Sequence, residues 1–144
     1  MASSPSETAI GDAWVFTLPL PPSSNKLYRS FRGMAKKTAE ARRYEVAARA
    51  ALLQQVLTAS VPALRKDHGY RRHFCYHLSR VQCKGWPEET DTRWVKIDSS
   101  NRVKLLEDIL ADVLGIDDSA FLEAGDRKVE DPNEHVVVTI TRVV

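Results

Sequence analysis

Between Ser99 or Ser100 and Leu114, the residues Val103, Leu106, Leu110 and Val113 recur at i, i+3, i+7 and i+10, and Gly115 follows at once. That spacing predicts an amphipathic helix with one apolar stripe and a glycine in the left-handed conformation at its C-terminal end. Such a stripe must be laid on another element, and the flanking segments read as strands. Upstream, within Tyr70–Val81, Phe74, Tyr76 and Leu78 alternate with His73, Cys75 and His77, as in a half-buried strand. Downstream, Phe121–Glu130 and His135–Val143 are strand candidates. The tetrapeptide Asp131-Pro132-Asn133-Glu134 between them has turn chemistry and predicts an antiparallel hairpin.

The N-terminal half reads more simply. Trp14–Leu20 predicts a first strand, stopped by Pro19 and the Pro21-Pro22 pair, with a loop over Pro21–Asn25. Lys37–Leu57 has high helix propensity, no glycine or proline, and Thr38 in place to cap it. Lys84–Arg93 reads as a polar loop and Trp94–Ile97 as a short strand or extended lead. The expected fold is α+β, a single domain over 13–144 with two main helices and a small mixed or antiparallel sheet; residues 1–12 read as a flexible tail. No apolar run approaches a membrane span, and the start carries no secretory pattern. The expected location is therefore the cytoplasm. His73, Cys75 and His77 alternate as metal ligands on one strand face do, but no second ligand pair follows at zinc-finger spacing, and zinc is not expected. Cys75 and Cys83 are too few for a disulfide framework.

Net charge is only +2, yet the charges are segregated. From Lys26 to Lys84 there are 14 basic and 3 acidic residues, a net +11; from Gly85 to Glu134 there are 6 basic and 14 acidic, a net −8. One half can grip polyanions while the other gathers carboxylates, unless the two are merely solvated faces packed side by side. On the helix after Ile97, Asn101, Lys104 and Asp108 lie on the face opposite the apolar one. Asp98 stands at or just before its start, and Asp117-Asp118 on the turn after Gly115. Each also has a structural reading: Asp98 as a cap, Lys104 with Asp108 as an i,i+4 pair, Asp117-Asp118 as turn residues.

Their order is more specific. Asp98-Ser-Ser-Asn101-Arg-Val-Lys104, then a helix, then Gly115-Ile-Asp117-Asp118, resembles the signature of the RusA family of Holliday junction resolvases, D-x-D-N-x-x-K followed by D-D. Leu18-Pro-Leu-Pro-Pro-Ser-Ser-Asn25, with Tyr28-Arg29, Arg32-Gly33 and Ala39-Glu40, is similar to that family's proline-rich loop and the segment after it. The resemblance implies a homodimeric, magnesium-dependent endodeoxyribonuclease (manganese being a possible substitute) that nicks four-way or branched DNA symmetrically in recombination and repair. It would act in a bacterial or phage-infected cell, at the nucleoid, with no small-molecule cofactor. Carried over by position, Asp98, Lys104 and Asp118 are the catalytic set. Asp98, Asp118, Asp117 and Ser100 are the metal-binding candidates, with Asn101 and Asp108 in support. Magnesium prefers hard oxygen ligands, which carboxylates supply. Ser100 stands where the signature has its second aspartate. The alternative reading is therefore a non-catalytic branched-DNA-binding accessory protein with an impaired metal site. A single-strand or RNA-binding module would use the same basic stretch without needing the Asp98, Lys104, Asp118 set. DNA contacts are expected from Asn25, Lys26, Arg29, Arg32, Lys36, Lys37, Arg42 and Arg43, and base stacking is conceivable for Phe31, Trp86 and Trp94.

Overall fold

The computed structural model describes residues 12–22, 28–81, 94–95 and 99–144, and only the backbone at 28–31, 35 and 99–101. Along the chain run β1 (Ala13–Leu18), β2 (Tyr28–Phe31), β3 (Met34–Lys37), α1 (Ala39–Thr58), β4 (Tyr70–Leu78), α2 (Ser99–Leu114), a 3-10 turn (Asp118–Ala120), β5 (Phe121–Glu130) and β6 (His135–Arg142). Four strands form a mixed sheet in the order β1-β6-β4-β5, and β2 with β3 forms a separate ribbon. The α+β expectation holds, with two helices and a mixed sheet.

The alternation read from β4 is what positions the core. Tyr70, Arg72, Phe74, Tyr76 and Leu78 are buried, while Arg71, His73, Cys75 and His77 are half-buried on the opposite face. Val136, Val138 and Ile140 of β6 join the buried side, and α1 supplies Ala41, Tyr44, Ala48 and Leu52 to the same core. From α2 come Leu105, Leu106, Ile109, Leu110 and Leu114. The stripe on α2 is thus rotated from the one expected. Leu106 and Leu110 are buried, but Val103 and Val113 only line the edge, with Leu105 and Ile109 at the centre instead.

Local chemistry fixed several ends as expected. Thr38 is extended, and its hydroxyl accepts from Ala41 N at 3.1 Å, capping α1. Gly115 has φ +82°, and Ala111 O accepts from both Gly115 N and Ile116 N, closing α2. β1 stops one residue before Pro19. Asp12, assigned to the tail, already accepts from Arg142 N at 2.9 Å.

Two readings are corrected. β5 and β6 are antiparallel in direction and joined by the expected turn, but they do not pair. β4 lies between them, parallel to β5 and antiparallel to β6. The apolar residues of β4 are worth most at the centre of the sheet, whereas β5, rich in Glu123, Asp126, Arg127, Lys128 and Glu130, suits an edge that charges protect. The second correction is the β2–β3 hairpin, which the sequence reading missed. Arg32 and Gly33 both take positive φ, 51° and 77°, as a two-residue hairpin turn requires.

Candidate active site

Asp98, Asn25 and Lys26 lie outside the described residues, as do the side chains of Ser100, Asn101 and Arg29; Ser100 and Asn101 belong to the first turn of α2. One contact joins the two motif blocks. Arg102 Nε donates to Pro22 O at 2.8 Å, holding the proline-rich segment against the first turns of α2. Arg102 occupies a variable position of the signature, so sequence reasoning gave it no role.

Lys104 is exposed, with Nζ 3.7 Å from Asp108 Oδ2 on the next turn. That is the i,i+4 pair foreseen as the structural reading. At this distance and exposure the pair is weak, so Lys104 remains able to meet another anion. Toward the opposite end of α2, Asp117 Oδ2 accepts from Ser119 N at 2.9 Å and caps the 3-10 turn. Hydrogen bonding by the Ser119 side chain, and next by its backbone N–H, holds the carboxyl below the usual range. Asp118 follows on the same turn, exposed. From Lys104 to Leu114 the helix advances about 15 Å, and Asp118 lies beyond that end. Within one chain, then, Lys104 and Asp118 are held apart by the helix between them. An open groove of about 720 Å³ runs beside the Asp118 turn, lined by Lys66, Asp67, His68, Asp112, Asp117 and Ser119 among others.

The basic half resolves into two classes. Arg72 is buried among Glu107 Oε2 at 2.8 Å, Asp126 Oδ1 at 3.0 Å and the face of Phe74, 4.4 Å from its ring centre. Arg49 pairs with Asp112 of α2, joining the two helices, and Arg65 pairs with Asp67 at the exposed turn before β4. The second class sits on the ribbon and the start of α1. Arg29 and Lys36 are direct cross-strand partners in β2 and β3. Arg32 is exposed at the ribbon's turn, Lys37 bonds Glu45 at 2.7 Å, Arg42 donates to Lys37 O, and Arg43 is exposed on α1. Of the stacking candidates, Trp94 is exposed; Trp86 and the side chain of Phe31 lie outside the described residues.

At the far end of the sheet stands a group that no site reading anticipated. His77 and His135 are cross-strand partners on the open face, with rings stacked at 4.1 Å. Asp131 Oδ2 is 3.0 Å from His77 Nδ1. The alternation of His73, Cys75 and His77 pointed to this face but joined the wrong residues. Side chains two apart on a strand sit farther from each other than direct cross-strand partners do, and His73 instead packs over Gly125 of β5.

No curated protein matches the chain. The family model for endodeoxyribonuclease RusA matches residues 19–141, which span the proline-rich loop, α2 and the Asp117-Asp118 turn. With nearly its whole length matched, the chain belongs to the RusA endodeoxyribonuclease family.

Proposed function

We propose that the chain is a magnesium-dependent, structure-selective endodeoxyribonuclease that resolves four-way junctions by paired nicks, acting as a homodimer whose sites combine residues of both copies. The reading is carried by the family match over residues 19–141. The spacing along α2 adds to it, because Lys104 lies on the second turn of α2 and Asp118 on the turn that follows its last residue. A two-fold partner lying antiparallel along that helix brings one copy's Lys104 to the other's Asp118, and an isologous pair makes two such sites.

Asp117 and Asp118 are hard oxygen donors on an exposed turn, a donor set that suits magnesium. The cation supplies Lewis acidity toward a phosphate oxygen and an attacking water. Asp118, whose side chain is not spent on a cap, is the ligand at this end of the helix; Asp117 positions it by fixing the turn through Ser119. Lys104 places a compact cation against the phosphate or the departing oxygen. Asp98 with Ser100 completes the set; a serine hydroxyl is a neutral and weaker ligand than a carboxylate, so metal demand should be higher than with two aspartates. The ribbon and the start of α1, with Arg29, Arg32, Lys36, Arg42 and Arg43, hold the backbone of the branched DNA by phosphate contacts that read shape rather than sequence.

The test mixes two inactive variants. Lys104→Ala and Asp118→Asn are each assayed on a synthetic four-way junction with magnesium, then mixed under subunit exchange. A site shared between copies leaves one intact site in every mixed dimer, so nicking returns to about a quarter of wild type. No nicking by the wild type would favour the accessory-protein reading, with the site broken at Ser100. Nicking by the wild type without rescue would place each site within one chain.

A further inference from the structure

The open face of the sheet carries a cluster that contributes nothing to the hydrophobic core, whose members lie on the other face. His77 is the last half-buried position in the alternation of β4, His135 begins β6 directly opposite it, and Asp131 follows β5 at the start of the connecting turn. Each is half-buried. The cluster is pinned by backbone bonds: Asp131 N donates to Leu78 O at 2.7 Å, and Asp131 Oδ1 accepts from Asn133 N at 2.9 Å. Beside it, Glu134 Oε2 accepts from Ser79 N and Ser79 Oγ at 3.0 and 2.9 Å, tying the turn to the end of β4.

A hydrogen bond orients the His135 ring. His135 Nδ1 lies 2.7 Å from Asn133 O, and a carbonyl only accepts, so Nδ1 carries the proton and, in the neutral ring, Nε2 keeps its lone pair. His77 Nδ1 lies 3.0 Å from Asp131 Oδ2, close to the separation of two ligands on one tetrahedral ion, so a metal can take the place of the proton between them. The set is then His77 Nδ1, Asp131 Oδ2 and His135 Nε2, the last oriented through its other nitrogen as metal-binding histidines are. One ligand atom from each of the three residues falls within 4.8 Å of the others. Zinc bonds of 2.0–2.2 Å place tetrahedral ligands about 3.4 Å apart. Closing the set thus needs side-chain shifts on the order of 1 Å, with a water as the fourth ligand.

We propose that His77, Asp131 and His135 bind a divalent transition-metal cation of the zinc class at a site separate from the carboxylate set of α2. Imidazole nitrogens select such ions, whereas magnesium prefers oxygen. The bound ion clips the β5–β6 turn to the end of β4, strands that meet only through long-range pairing. This inference does not rest on the nuclease reading.

The test uses the full chain without a histidine tag, stripped by chelator and titrated with zinc chloride, then cobalt chloride, in excess magnesium. One zinc per chain, a rise in melting temperature and a visible cobalt absorption band are expected. His135→Gln should weaken zinc binding about a hundredfold and Asp131→Asn about tenfold, with circular dichroism confirming that both fold, while Asp118→Asn leaves it unchanged. Absence of the cobalt band in the wild type, zinc binding unaffected by His135→Gln, or zinc binding lost in Asp118→Asn would each overturn the proposal. The cobalt spectrum of the unmodified chain keeps the question decidable if a variant fails to fold.

Discussion

On the inward side of α2, Leu105, Leu106, Ile109 and Leu110 are at most 1% exposed, and Glu107 reaches down to a buried arginine. On the outward side, Lys104 and Asp112 are exposed, and Lys104 reaches Asp108 only at 3.7 Å. One helix therefore carries two energetic regimes. The inward residues are chosen by folding, because each removes apolar surface or a charge from water. The outward pair contributes at most a few tenths of a kcal/mol, so folding does not account for a lysine at that position. The fold asks little of Lys104.

The strongest way to break the contrast is at Arg72. Its side chain is 6% exposed and its guanidinium joins Glu107 of α2 to Asp126 of β5. Arg72→Met keeps the volume and the contact with Phe74 but leaves Glu107 partly buried without its cation, and should cost about 3 kcal/mol. Adding Glu107→Leu should recover most of that loss, since the cost lies in the uncompensated charge rather than in a missing attraction. Urea denaturation of the single and double variants checks both. If the double variant is no better than the single, the network is worth more than its desolvation, and the inward face depends on charge as well as on apolar burial.

A smaller effect is expected where α2 ends. Gly115 has φ +82°, and a Cβ there would meet nothing within 4 Å, so Gly115→Ala tests backbone conformation alone. It should cost about 1 kcal/mol, read as a lowered denaturation midpoint with unchanged slope. Because this turn leads into Asp117 and Asp118, a loss of nicking larger than the loss of stability would indicate that the turn positions the acids.

Gly115 also marks what the sequence made legible. A glycine after a periodic apolar run and a threonine before an alanine-rich segment are local signals, and both caps form as read. The order of strands is not a local property. Asp131-Pro132-Asn133-Glu134 makes its turn, but whether β5 then pairs with β6 depends on what β4 gains from the central place, a comparison of burial across the whole sheet. The same non-locality hid the His77, His135 and Asp131 group, whose members come together only through the β4–β6 register. It also hid the class of each cation: in the sequence Arg72 and Arg43 are equivalent, yet one is buried in an ion network and the other is exposed on α1. The β2–β3 ribbon was missed for a narrower reason, since Arg-Gly is a weaker hairpin dipeptide than Asn-Gly or Asp-Gly and asks a non-glycine residue to adopt positive φ.

The smallest stability effect is expected where the functional effect should be largest. Lys104→Ala removes an exposed cation from an i,i+4 pair in which the base precedes the acid, the less favourable order along a helix. Alanine is itself a good helix former. The change in stability should stay below about 0.5 kcal/mol, while junction nicking should fall by roughly two orders of magnitude or more if the ammonium meets charge that develops in the transition state. Lys104→Arg separates two versions of that role. A cation that only steers DNA toward the surface is replaced well by arginine, with most nicking retained and a similar salt dependence. A compact charge seated against one oxygen is not replaced, because the guanidinium is wider and donates in a fixed plane. Nicking rates at saturating protein distinguish these outcomes. If Lys104→Ala lowers stability by about 2 kcal/mol or more, on the scale of an inward-face residue, the division between the two faces of α2 would fail and lysine would have to be explained by the fold.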